Sequence, residues 1–230
     1  MRTFENDEFT AFYDRGGNVY EDLHFKKCTF ISSSISITYD PANRTTVRNV
    51  TLERCRVVGS ALDCAVVEHV LVDGLQTSDL HQAWGALFKH VTLRGKIGRL
   101  MVTPLISPRH RNTPEQAAFD EQREAYYETI DWALDISEAE AVELELAGIP
   151  ARLIRRDPET QAVVTRQAAL SGEWRELEPV KKTVLGLAIQ QMLKRGDDDT
   201  VLVAERRARD FKQLLAGIQE LRAAGVAEPD

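Results

Sequence analysis

Apolar and polar residues alternate in four short stretches that can be laid over one another: residues 20–28, 47–55, 67–75 and 88–96. In each stretch two inward candidates stand two residues apart: Leu23 and Phe25, Val50 and Leu52, Val70 and Val72, Val91 and Leu93. Alternation of period two marks strands with one buried face. The stretches are offset by 27, 20 and 21 residues, a repeat that points to stacked coils. A strand plus a crossover helix needs roughly 30 residues, so each coil must be built of short strands and bends. Coils stacked about 4.8 Å apart place equivalent residues in columns. Tyr20, Val47, Val67 and Phe88 form one column, Leu23, Val50, Val70 and Val91 a second, and Cys28, Cys55 and Leu75 a third.

A finer spacing runs inside the coils. Val50, Cys55, Ser60, Ala65, Val70, Leu75 and Leu80 follow one another at intervals of five, and all are small or apolar. In Asp22-Leu23, Asn49-Val50 and Asp79-Leu80 an Asp or Asn comes just before an apolar residue. Over roughly residues 20–105 the chain therefore resembles a degenerate pentapeptide-repeat protein, whose motif is a small residue, Asp or Asn, Leu or Phe, and two variable positions. Glu21, Arg48 and Glu68 depart from it, standing where the small residue belongs. The resemblance implies a four-sided right-handed parallel β-helix, each coil being four fives.

Beyond residue 106 the period breaks. Thr113-Pro114-Glu115 reads as a helix cap, a first-turn proline and an acid, predicting a helix to about Tyr127. Alternation returns in Trp132, Leu134, Ile136 and in Val142, Leu144, Leu146, as further coils or as a separate sheet. Asp157-Pro158-Glu159-Thr160 between two apolar runs predicts a β-hairpin over 152–166. One helix is expected over 179–194, with Val180, Val184, Leu185, Leu187, Ile189 and Met192 as its apolar stripe and Gly196 as its cap. A strand over 200–204 and a second helix over 206–224 follow. The fold class is thus mainly β: a short right-handed parallel β-helix, then an α/β region with C-terminal capping helices. The expected parts are 1–106 (repeats), 107–128 (inserted loop and helix), 129–170 (further strands and hairpin) and 171–230 (helical cap, closing an otherwise exposed sheet edge).

At 230 residues and 43% hydrophobic, the chain can bury one sizeable core or two modest ones. It has no apolar run long enough to span a bilayer, and its start lacks the basic-then-apolar pattern of a secretion signal. Of three cysteines, an odd number, Cys28 and Cys55 fall in an inward column; buried free thiols in a cytoplasmic protein are the economical expectation, with a disulfide as the lesser one. Residues 1–112 carry 14 Lys and Arg against 12 Asp and Glu, and residues 113–230 carry 15 against 24, together the net −7. Some pentapeptide proteins imitate DNA with an acidic coil surface and engage topoisomerases, and the slightly basic repeat half here argues against that role.

His69 and His90 fall in the column of Asp22 and Asn49, so their rings should stack. Two imidazoles that close are the metal candidates, although no third ligand has a forced position. A polar ladder between coils is the plainer expectation. Asp63, Asp73 and Asp79 raise a polysaccharide-lyase or hydrolase reading. Arg152, Arg155, Arg156 and Arg166 make a basic stretch in an acidic half, able to grip phosphate or carboxylates. No phosphate loop, dinucleotide fingerprint, Gly-x-Ser-x-Gly or Cys-x-x-Cys occurs. The function expected is therefore non-catalytic protein binding, as in a bacterial immunity or antitoxin-like inhibitor, with no cofactor, membrane or nucleic acid. Its contact residues would be Arg152, Arg155, Arg156, Glu115, Asp120 and Glu124, facing a basic protein partner. The alternatives are a small β-helix enzyme, carbohydrate-cleaving or metal-dependent, with its site near the inserted segment, and a subunit that oligomerises through a solenoid end.

Overall fold

The computed structural model describes residues 1–229. Thirteen strands pair into one sheet in which every ladder is parallel. The first pass of the chain gives β1 (Arg2–Glu5) and β2 (Glu8–Thr10), and the second β3 (Val19–Lys26), β4 (Thr29–Ile31) and β5 (Ser34–Ile35). The third gives β6 (Thr46–Val58) and β7 (Ala61–Asp63), and the fourth β8 (Val66–Thr77) and β9 (His81–Trp84). The fifth gives β10 (Leu87–Lys89) and β11 (Val91–Thr103). Helix α1 (Pro114–Glu128) interrupts before β12 (Leu134–Leu146) and β13 (Ile154–Arg155) complete the sheet.

The registers reproduce the columns read from the alternation. Tyr20 pairs Val47, Val47 pairs Val67 and Val67 pairs Phe88; Leu23 pairs Val50, and Val50 pairs Val70. Cys55 pairs Leu75, and Cys28 lies beneath Cys55. The sheet curls because the chain turns at a left-handed residue every fifth position. Asn49, Arg54, Gly59, Cys64, His69 and Gly74 all have positive φ, as do Asp22, Lys27 and Ser32 one pass earlier and Gly85, His90 and Gly95 one pass later. The five-spaced apolar set begins immediately after each corner, which sends its side chains inward. Val50, Val70, Val72, Val91 and Leu93 are buried as expected, whereas Leu52 is only half-buried.

Helix α1 begins as expected: Gln116 N–H donates to the Thr113 hydroxyl at 3.4 Å. Strand β12 then rejoins the sheet against β11, with Leu100 opposite Leu144, so residues 134–146 continue the same parallel sheet rather than starting a separate one. The predicted hairpin over 152–166 does not form. Ile154 and Arg155 pair in parallel with Leu134 and Asp135. The second arm, β14 (Gln161–Thr165), pairs antiparallel with β15 (Asp199–Val203) instead. Asp157 does cap a turn, accepting from Glu159 N–H at 3.0 Å and the Thr160 hydroxyl at 2.7 Å. A turn signal fixes where the chain bends, not which edge it then joins. Buried through Gln161, Ala162, Val163 and Val164, β14 needs a partner in the middle of a second core.

That core is built by β14, β15 and the helices α2 (Arg166–Leu170), α3 (Glu178–Lys181), α4 (Val184–Arg195) and α5 (Phe211–Ala223) around Trp174, Ile189, Met192 and Ile218. The single helix expected over 179–194 is broken at Thr183, whose hydroxyl donates back to the Pro179 carbonyl at 2.8 Å. The break rotates the stripe: Leu185, Ile189 and Met192 stay buried, while Val184 and Leu187 face outward. Helix α5 starts five residues later than expected because 204–210 is a loop. This loop covers the part of β12 that β13 leaves unpaired. Leu144 N–H donates to the Glu205 carboxyl at 3.2 Å, and Arg207 N–H to the Ala141 carbonyl at 3.2 Å. The Gln161 amide donates to the Ile136 carbonyl at 3.0 Å. Backbone groups of a terminal strand otherwise invite edge-to-edge pairing; the loop and Gln161 satisfy them, rather than the helices assigned that task from sequence.

Burial pushes the Glu205 carboxyl up from its ordinary 4.5 to about 7. Between those values the folded chain holds a proton that the unfolded chain has lost, so this residue's contribution falls as pH rises through the window and is level above it. A Glu205→Gln variant should therefore gain stability on the parent as pH rises from about 4.5 to about 7, by on the order of 3 kcal/mol at most. Urea melts across that range check it, and a pH-independent offset refutes it. Cys28, Cys55 and Cys64 are free and buried, and burial raises the Cys55 thiol to about 11. Disulfide-reagent titration of native protein at pH 8 should label slowly and reach three thiols only on denaturation.

Candidate functional site

The inner faces of the middle passes carry short side chains, among them Val50, Val57, Val70, Val72 and Ala83. β-Branched residues suit strands but reach only a short way across a coil. The opposing columns do not meet, and a cavity of about 500 Å³ runs through the curled sheet. Protein interiors ordinarily leave few voids larger than a water molecule. Leu23, Phe25, Phe30, Ile35 and Leu52 point inward yet stay half-buried because they face this lumen. The exposed residues lining it, Arg2 and Phe12, belong to the first pass, so the lumen opens at that end. There the Phe4 ring stacks on Phe25 at 5.2 Å and Phe9 on Phe30 at 5.3 Å, and the Arg2 guanidinium covers Phe4 at 4.7 Å.

One ionisable ring sits deeper. His81 Nδ1 lies 3.0 Å from the Ser60 carbonyl, which can only accept, so Nδ1 carries the proton and Nε2 offers a lone pair. Burial lowers its pKa, with the Ser60 bond opposing, so the ring is neutral at pH 7. The lumen is therefore mostly apolar, with His81, Ser33 and Ser60 as polar residues along its wall and the Arg2 cation at the mouth.

A second cluster lies on the outside, at the corner column. Asp22, Asn49, His69 and His90 occupy equivalent corners with φ of 56°, 51°, 53° and 55°. The rings of His69 and His90 meet edge to face at 4.8 Å, with their Nδ1 atoms 3.3 Å apart. His90 Nε2 donates to Asp131 at 2.6 Å, which holds that carboxyl below its usual range. Trp132 stacks on the other face of His90 at 4.6 Å, and Arg155 covers Trp132 at 4.1 Å.

The other sequence candidates are dispersed. Asp63, Asp73 and Asp79 lie on different ladders or corners: Asp73 pairs with Arg94 at 2.8 Å and Asp79 accepts from Ser78 at 3.1 Å. Asp63 borders a smaller hollow of about 160 Å³, where burial raises its carboxyl to about 6. Two carboxylates facing one another across a groove, as glycoside cleavage needs, are not assembled from these three. Arg152 donates to the Tyr127 carbonyl at 3.2 Å, Arg155 covers Trp132 and Arg156 pairs with Glu228 at 3.1 Å. On α1, Asp120 pairs with Arg123, Glu124 lies 4.0 Å from the same guanidinium, and Glu115 is exposed in the first turn.

Arg44 drew no notice in the sequence, yet it fastens α1 to the sheet. Its buried guanidinium donates to the carbonyls of Cys64 and Gly85, both at 2.7 Å, and to Gln122 of α1 at 2.5 Å. It also covers the Phe119 ring at 4.3 Å. Desolvation lowers its pKa to about 10, so it stays charged. Only its position in an irregular link between passes could have hinted at this, and nothing in that link marks it. No family model, curated protein or solved structure matches the chain. No helix among the described residues is long and apolar enough to cross a membrane.

Arg44→Ala should strand two corner carbonyls and lower stability by about 2–4 kcal/mol. Urea melts measure the loss, and limited proteolysis should cut faster between residues 107 and 127. Unchanged cleavage there would remove Arg44 as the fastener of α1.

Proposed function

We propose that the protein is a non-catalytic binding protein that receives an elongated apolar ligand in the lumen of its curled sheet, entering past Arg2, Phe4 and Phe12. The carrying observation is the cavity of about 500 Å³, walled by Val, Leu and Phe side chains, a size within the ordinary range of ligand sites, roughly 300–1,000 Å³. An apolar void of this kind excludes water and accepts apolar guests. The Arg2 guanidinium at the mouth, held over Phe4 and in no salt bridge among the described residues, favours a ligand with an anionic end. On this reading the sheet is a right-handed parallel β-helix of the degenerate pentapeptide kind. The left-handed corner at every fifth residue supports that classification. Capture of a protein partner is the second reading, and it draws on Leu170, Val184 and Leu187, which are 65%, 55% and 53% exposed on the C-terminal unit.

Val70→Phe tests the lumen directly. In a closely packed coil the larger ring would cost about 1–3 kcal/mol; in a hollow one it fills space and should raise Tm. The same variant should bind less 1-anilinonaphthalene-8-sulfonate, an anionic apolar dye, than the parent does, and lauric acid should displace the dye from the parent. A lower Tm with unaltered dye binding would defeat the lumen reading.

A further inference from the structure

We propose that His69 and His90 form an open-coordination site for a divalent transition metal, zinc or copper, on the outer corner of the fourth and fifth passes. Two nitrogens on one tetrahedral zinc, each about 2.05 Å from the ion, stand about 3.3 Å apart. The Nδ1 atoms of His69 and His90 are 3.3 Å apart. Asp131 settles which nitrogen of His90 is free. A carboxylate only accepts, so His90 Nε2 carries the proton and Nδ1 presents its lone pair. A carboxylate on the far nitrogen of a ligating imidazole is the usual outer support of a metal site, orienting the ring and raising its basicity. Trp132 against the ring face leaves His90 little rotational freedom.

His69 then needs two adjustments, a change of tautomer and a rotation that turns its Nδ1 from His90 towards the shared ion. In the metal-free pair its Nδ1–H donates to His90; on binding, that proton moves through solvent to Nε2 and both Nδ1 lone pairs meet the ion. No net proton or electron is exchanged when both rings start neutral. His90 and Asp131 are 23% and 70% exposed in their side chains, so the ion has access from solvent. Among the described residues no group of three or more His, Cys, Asp and Glu could hold a metal. The remaining positions therefore fall to water or an outside ligand, and imidazole pairs suit zinc and copper.

The test uses the full chain without a histidine tag, titrated with zinc chloride by calorimetry and with copper(II) by electron paramagnetic resonance. One equivalent should bind, with nitrogen couplings from two imidazoles in the copper spectrum. His69→Asn and His90→Asn, which keep a residue that tolerates the left-handed corner as Asn49 does, should each abolish it. Asp131→Asn should weaken it about 10–100-fold. Absence of stoichiometric binding in the parent, or binding that survives both histidine variants, overturns the site and leaves a plain imidazole–imidazole hydrogen bond.

Discussion

A backbone corner in the left-handed region, recurring every five residues, is the constraint on which this structure rests. An L-residue there costs about 1–2 kcal/mol unless it is glycine, with Asn and Asp suffering least. From Asn49 to Gly74 the chain makes six such corners in succession and accepts that strain at four of them, Asn49, Arg54, Cys64 and His69, Gly59 and Gly74 being the other two. No corner is Val, Ile or Thr, whose branched side chains fit this region worst. In return each corner redirects the chain so that a short segment pairs in parallel with the pass before it. Strain at the corners and hydrogen bonds along the faces are thus two sides of one arrangement. A single corner without its ladder would not persist.

The same arrangement explains why the interior is hollow without collapsing. The five-residue spacing of the corners fixes the distance across a pass, and the ladders the distance between passes, both through backbone geometry and independently of the side chains that point inward. Where Phe25 and Phe30 stand, rings reach towards the centre; where Val50, Val70 and Val72 stand, they do not. In a helix bundle such underfilling would draw the elements together. Here the corners and the parallel registers resist it. Outside, Arg48 with Glu21 and Arg94 with Asp73 tie neighbouring passes. These pairs are exposed and add little stability individually, so the ladders and the buried columns carry the stack.

The columns were legible in the sequence because the parallel register holds a constant offset along each ladder from β3 through β6 to β8, so the alternating stretches align Val47 with Val67 and Leu23 with Val50; against β8 it slips in β11, between Arg94 and Ile97. The lumen was not, since alternation tells which side chains point inward and says nothing about how far apart facing walls stand. The hairpin over 152–166 failed for a related reason: Asp157 marks a bend, whereas the partner of Val163 was decided by burial between a sheet and helices. Val184 and Leu187 had the right spacing for a core stripe, but the break at Thr183 turned them outward. The pairing of His69 with His90 was readable from the column. Its support by Asp131 and Trp132 was not, because those residues return to the corner only after the excursion through α1.

The two ends of the sheet are finished differently, and this asymmetry gives the lumen a direction. At the β12 end Glu205, Arg207 and Gln161 occupy edge groups of the last strand, and a second core lies beyond it. At the β1 end no such loop folds across among the described residues, and the aromatic side chains Phe4, Phe9 and Phe12 surround an opening with Arg2 on the rim. A guest entering there would lose water from both surfaces as it passed Phe25 and Phe30, the largest gain coming in the first two passes, where the rings are. Further in, Val70 and Val91 present a smoother wall, and each directly follows a corner histidine, His69 or His90. A metal bridging those histidines would hold the fourth and fifth passes together from outside, directly behind Val70 and Val91. Inner and outer chemistry of this chain are therefore separated by one residue of sequence and joined by the same corner.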